Sequence, residues 1–223
     1  MTLHQYVSTR GSRTLLLWMA LNLAIGSAGV QAQDTDQPLI LVAVPKLSGY
    51  YERTVLVAVP IAGDRHVGFV INRPTPVSMG RLFPQHDPSR KIADPVYLGG
   101  PEMVTSIFAM LEAGDSPGQG DFTLMPGVHV VAEAKSIDRI IEQAPNSARY
   151  YAGFVAWRRG ELREELDRGF WFTLPAQREF MFRDDAGDLW EELLERSSRV
   201  RTQLNGSSPI LSEAVGSGPG RRM

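Results

Sequence analysis

The stretch "HVGFVINRP" ends in Asn72, Arg73 and Pro74, which places an amide and a guanidinium at a strand end with the exit set by Pro. An Arg so placed can hold a carboxylate or phosphate through paired N–H donors. A structural role competes: Asn72 satisfies turn backbone, and Arg73 pairs with an internal acid such as Glu52. We favour the structural role. "PVYLGGP" supplies Gly99, Gly100 and Pro101. Their backbone N–H groups could cradle an anion. Gly-Gly-Pro more often ends a strand and lets two chain segments approach closely.

"GFVAWRRGELREEL" holds Gly153, Trp157, Gly160 and Leu162, with Arg158, Arg159 and Arg163 beside Glu161, Glu164 and Glu165. An apolar run entering Trp-x-x-Gly and then a helical pattern predicts a strand–turn–helix corner, with Trp157 buried in it. Glu161 falls at the helix N-terminus, where a carboxylate complements the dipole. The stretch brings no nucleophile, and its arginines are balanced by glutamates. The acids of "ELREEL" and "WEELLE", including Glu161 and Glu165, read as solvated helix faces.

His66, His86 and His129 form no tight ligand pair, so no metal is expected from them. His86 lies in a polar loop and reads as solvated; His66 and His129 each precede a strand. G-x-S-x-G, the phosphate-binding loop and the dinucleotide fingerprint are all missing. With no Cys, thiolate nucleophiles, disulfides and Cys-based metal sites are excluded. No cofactor is expected.

These residues need a frame. The chain has 223 residues, 43% hydrophobic and 22% charged, which is ordinary globular composition. A net charge of −2 gives no reason to expect direct nucleic-acid binding. "MTLHQYVSTRGSR" is basic, "TLLLWMALNLAIG" is apolar, and Val30 and Ala32 are spaced for signal cleavage. This order predicts a secretory signal peptide over residues 1–32, cut after Ala32, and a periplasmic protein. The apolar core is shorter than the ~20 residues of a spanning helix, so no mature transmembrane segment is expected. A short linker, 33–38, precedes a domain over 39–199. The Ser/Gly/Pro-rich tail, 200–223, reads as disordered.

Within the domain, "LVAVP" occurs at Leu41–Pro45 and Leu56–Pro60. Each reads as a buried strand stopping at its Pro, the two forming a neighbouring pair. Further strands are expected at Val67–Ile71, Val96–Leu98 and Ser106–Glu112, and in "RYYAGFVAW", "FWFTLP" and "EFMFR". Ser136 is the expected cap of a helix carrying Ile137, Ile140 and Ile141. "DLWEELLERSSRV" predicts an amphipathic helix with Leu189, Trp190, Leu193 and Leu194 on one side. The loop Gly114–Gly120 reads as a hairpin loop rather than a domain linker. Strands and helices without regular alternation predict an α+β fold.

Taken in order, "YYERTVLV", "VGFVINRPT", "PVYLGGP", "GFVAWRRGELREEL" and "FWFTLPA" resemble the YqgE/AlgH family. The resemblance runs from about Leu39 to Arg196. It implies an α+β fold whose branched mixed sheet curls into a pseudo-barrel with helices packed around it. Members are connected with transcriptional regulation, without an accepted catalytic mechanism. The family pattern marks Asn72, Arg73, Pro74, Gly99, Gly100, Pro101, Gly153, Trp157, Gly160 and Leu162 as candidate positions. Three departures stand out. Family members look cytosolic, whereas this chain begins with a leader. The family's Cys-Glu-His is here Val59-Pro60-Ile61. Its "GWGPGQL" is here "AWRRGEL", which adds charge to that surface.

The expected function is therefore a non-enzymatic binding or regulatory protein, exported, with an unknown protein or small-molecule partner. One alternative is a hydrolase-like enzyme, which needs Asn72, Arg73 and a buried acid to converge in a pocket at the strand ends. Another is a cytosolic, transcription-linked regulator, if the leader is not an export signal. A third is a structural partner protein docking through the acidic helix Asp188–Arg196.

Overall fold

The first "LVAVP" forms strand β1 (Leu39–Ala43) and the second forms β2 (Val55–Ile61), paired antiparallel with Ile40 opposite Val57. Ile40 to Ala43 are fully buried, as a run without polar alternation requires of a strand covered on both faces. β1 stops before its Pro, but β2 runs through Pro60. Pro60 lies past Ala58, the last β2 residue with a β1 partner, where β3 alone flanks the strand. Such an edge position tolerates a missing N–H.

The computed structural model describes residues 35–115 and 121–206, with side chains through residue 199. The leader at 1–32, the loop at 116–120 and the end of the tail at 207–223 lie outside the described residues. The tail expected from residue 200 begins as helix, because the last helix runs from Leu189 to Gly206.

The remaining strands are β3 (Arg65–Val70), β4 (Pro74–Ser78), β5 (Pro95–Leu98), β6 (Glu102–Glu112), β7 (Asp121–Met125), β8 (Val128–Val131), β9 (Ala148–Trp157) and β10 (Trp171–Pro175). The helices are α1 (Met79–Leu82), α2 (Ala134–Gln143), α3 (Glu161–Asp167), α4 (Arg178–Met181) and α5 (Leu189–Gly206). Strand order is β10-β1-β2-β3-β9-β6-β8-β7, and β4 and β5 form a side branch. The fold is α+β, with this branched sheet curled into a half-barrel.

The branch point is β9. Its C-terminal end pairs β3 through Val155, Ala156 and Trp157, while Ala148 to Ala152 pair β6. Tyr151 and Ala152 also pair β5, in the parallel sense. One core contains Phe69, Tyr151, Leu162 and Trp190; a second gathers Met79, Tyr150, Ile137 and Ile141. α5 is fastened to β1 by the Trp190 indole, which donates to the Ala43 carbonyl at 2.8 Å.

Several expected elements differ. "EFMFR" is not a strand: Arg178–Met181 makes a helical turn with Phe180 and Met181 both buried. Adjacent inward residues suit a helical turn, whereas a strand sends neighbours to opposite faces. Glu133, not Ser136, occupies the N-cap of α2, and the Ser136 hydroxyl donates to the Glu133 carboxylate at 2.8 Å. The loop expected at Gly114–Gly120 lies largely outside the described residues; the strands on either side of it, β6 and β7, are not neighbours, since β8 lies between them in the sheet.

Candidate functional site

Asn72 and Arg73 face the loop entering β2. The Asn72 Oδ1 accepts from the Val55 N–H, and its Nδ2 donates to the Arg53 carbonyl, both at 2.9 Å. Arg73 Nη2 donates to the Glu52 carbonyl at 3.0 Å and to the Thr54 hydroxyl at 2.7 Å. The partner in Glu52 is thus its backbone, not the expected carboxylate. Pro74 opens β4 and is exposed. Between them these two side chains satisfy backbone groups that β1 and β3 leave unpaired.

Aromatic rings cover this clamp. Arg73 lies 5.2 Å from the ring of Tyr50, which meets Tyr51 edge-on at 4.9 Å. Tyr51 in turn meets Trp171 at 5.6 Å. Burial first, then the charges of Glu165, Tyr50 and Glu102, with Arg73 opposing, push the Tyr51 hydroxyl up to about 12. The charges of Arg73, Glu102 and Glu165 therefore act on one phenol. Tyr50, Tyr51 and Glu102 were not singled out in the sequence; an aromatic pair just before a strand was the available signal.

The glycines of "YLGGP" and "GFVAW" meet each other. A Cβ on Gly99 would sit 2.3 Å from the Gly153 carbonyl oxygen, and one on Gly100 would sit 2.1 Å from Phe154 backbone. A Cβ on Gly153 would be 2.6 Å from the carbonyl oxygens of Gly100 and Glu102, and its φ is +72°. The Gly99 N–H donates to the Ala152 carbonyl, and the Gly99 carbonyl accepts from Val70. The Gly-Gly-Pro is thus a backbone crossing, with exposed Pro101 leading out of it into β6. Gly68, unnoticed in the sequence, does similar service: a Cβ there would be 2.9 Å from the Trp157 ring.

Trp157 ends β9 at the predicted corner and is buried. Gly160 turns the chain at φ +74°, and Leu162 enters the core on α3. The Arg158 N–H donates to the Glu161 carboxylate at 2.8 Å, which braces the turn. Glu165 corrects the solvated-face reading. Its Oε2 accepts from the indoles of Trp157 at 2.9 Å and Trp171 at 2.8 Å.

His66, His86 and His129 lie in separate surroundings. Among the described residues no three His, Asp or Glu side chains converge. Both His66, in β3, and His129, in β8, are buried. His66 Nε2 donates to the Thr35 carbonyl at 2.8 Å. His86 is half-buried rather than solvated, with Nδ1 2.8 Å from the Ser89 hydroxyl. No helix among the described residues is long and apolar enough to cross a membrane.

The motifs are linked in pairs: the Leu98 N–H donates to the Arg73 carbonyl and the Val70 N–H to the Gly99 carbonyl, and the crossing and the corner share β9. A family model described as AlgH-like matches residues 40–199. The chain belongs to the AlgH-like family. A UPF0301 protein of Chlorobium limicola is 27% identical over 176 residues, covering 78% of this chain and 91% of its own length. A UPF0301 protein of Magnetococcus marinus is 31% identical, covering 68% and 83%. The AlgH protein from Pseudomonas aeruginosa has a solution structure matching with a TM-score of 0.61 at 20% identity, over 80% of this chain and 96% of that one. A crystal structure of DIP2367 from Corynebacterium diphtheriae matches at 0.59 and 21% identity, over 72% and 86%. These structures share the AlgH-like fold with this chain.

Proposed function

We propose that this AlgH-like chain is a binding or regulatory protein rather than an enzyme, and that it works in the periplasm after removal of residues 1–32. The observation that carries the non-catalytic reading is the clamp. Asn72 is bonded at both ends to backbone, and Arg73 is bonded to Glu52 and Thr54. Glu52, whose carbonyl Arg73 holds, is itself exposed. The hydrolase alternative required these side chains free and facing a buried acid. The family crossing and corner are likewise accounted for by packing. Export is supported by the three-part leader and its V-x-A spacing.

The test is fractionation of cells producing the full-length chain, with the mass of the recovered protein. A periplasmic species beginning at Gln33 is expected. A cytosolic, full-length species would overturn export and return the transcription-linked reading to first place.

A further inference from the structure

A depression of about 240 Å³ has a lining that includes Asp94, Asn146, Arg149, Phe182 and Asp184. Arg149 is unusual there. It sits on β9, its side chain is only 4% exposed, and it stacks 4.8 Å from the Tyr97 ring. Its Nη1 donates to the Met181 carbonyl at 2.9 Å. Its Nε is buried without a hydrogen-bond partner, because the nearest acid oxygen, Asp94 Oδ2, stands 3.5 Å away. A buried guanidinium is costly unless its donors are satisfied. Arg149 is therefore a buried cation in the lining of the depression, with Asp94 as its ion-pair partner.

The rim is rigid. Asn146 accepts from the Ala93 N–H at 2.9 Å and donates to the Lys91 carbonyl at 3.3 Å, so its side chain braces the wall. Asp94 is half-exposed and Asp184 is exposed. Both carboxylates raise the Tyr97 hydroxyl while Arg149 lowers it, with burial the largest influence, so all three charges act on one spot. Phe182, half-buried, gives the depression an apolar side.

We propose that this depression binds a small amphoteric molecule of amino-acid size, its carboxylate on Arg149 and its ammonium on Asp94 and Asp184. The charge pattern selects for both ends at once. A simple anion meets two carboxylates, and a simple cation meets a buried guanidinium. A guanidinium in the lining suits a carboxylate, which accepts paired N–H bonds. The volume lies below the range of drug-sized pockets, which sets the ligand's size.

The proposal rests on the binding reading but not on the compartment, so its failure leaves the fractionation result untouched. The experiment is calorimetric titration of the purified protein with each of the common α-amino acids, beside acetate and methylamine as single-charge probes. At least one amino acid is expected to bind, with acetate and methylamine at least 10-fold weaker. Asp184→Asn, at an exposed position, should keep the fold and weaken that amino acid at least 10-fold. Arg149→Lys should abolish binding; should it not fold, Asp94→Asn takes its place, with the same 10-fold weakening expected. Binding by no amino acid, equal binding of acetate, or unchanged affinity in Asp184→Asn would each overturn the proposal.

Discussion

Trp157, the last residue of β9, donates its indole N–H to Glu165 of α3 at 2.9 Å, and the same carboxylate oxygen takes a second indole from β10. One half-buried carboxylate thus ties a strand, the helix that follows it and the strand beyond. Hydrogen bonds to a charged acceptor contribute about 1.5–3 kcal/mol each. Glu165→Gln keeps an oxygen that can accept from both indoles and should cost about 1 kcal/mol. Glu165→Leu leaves two indole donors unpaired and should cost about 3 kcal/mol. Urea denaturation of the two variants separates these outcomes; equal midpoints would show that the carboxylate is solvated after all.

Gly153 and Gly160 both have positive φ, but for different reasons. A Cβ on Gly160 would meet nothing within 4 Å, so Gly160→Ala faces backbone strain alone, about 1 kcal/mol. Gly153→Ala adds contacts of 2.6 Å with two carbonyl oxygens and should cost about 3 kcal/mol or prevent folding. Melting temperatures of the pair test the crossing directly.

The clamp makes a prediction of its own. Asn72→Ala frees the Val55 N–H and the Arg53 carbonyl, and should destabilise by about 1–3 kcal/mol. Arg73→Ala should fall in the same range. Their combination should cost less than the sum, because both hold one loop. A double-mutant cycle in urea reads that coupling. Additive losses would mean the two side chains act on independent structure.

Alkaline pH should weaken the fold. Burial raises Tyr51 and Tyr150 to about 12, and Tyr151 is raised as well. An unfolded tyrosine ionises near 10. Between these values the native state holds more protons than the unfolded state, so stability falls as pH rises. This contribution is complete below pH about 10 and is lost as pH climbs through about 12. Urea midpoints measured across that window should drop, while tyrosinate absorbance of the native protein lags that of the unfolded chain.

Much of the frame was legible from short segments. The two "LVAVP" runs announced β1 and β2 because uninterrupted β-branched stretches suit a strand buried on both faces. The corner at Trp157 was legible from a strand pattern, a Gly and a helix pattern in succession. "EFMFR" failed because so few residues carry too little periodicity to separate a helical turn from a strand. β4 and β7 were missed for a related reason: "PTPVS" carries no apolar alternation, and "DFTLM" alternates over only five residues beside a Gly/Pro-rich stretch.

By itself the sequence determined the α+β class, the places of most strands along the chain, the corner, and the motif set shared with the AlgH-like family. Those are local properties, written in runs of neighbouring residues. Only the tertiary structure decided why the glycines of the crossing are glycines, since Gly99, Gly100 and Gly153 each face backbone from a distant segment. It also decided that Arg73 closes a loop, that Glu165 belongs to two tryptophans, and that Arg149 shares a cavity with Asp94 and Asp184. Close approach, burial and field are distances between parts of the chain that no period along it records.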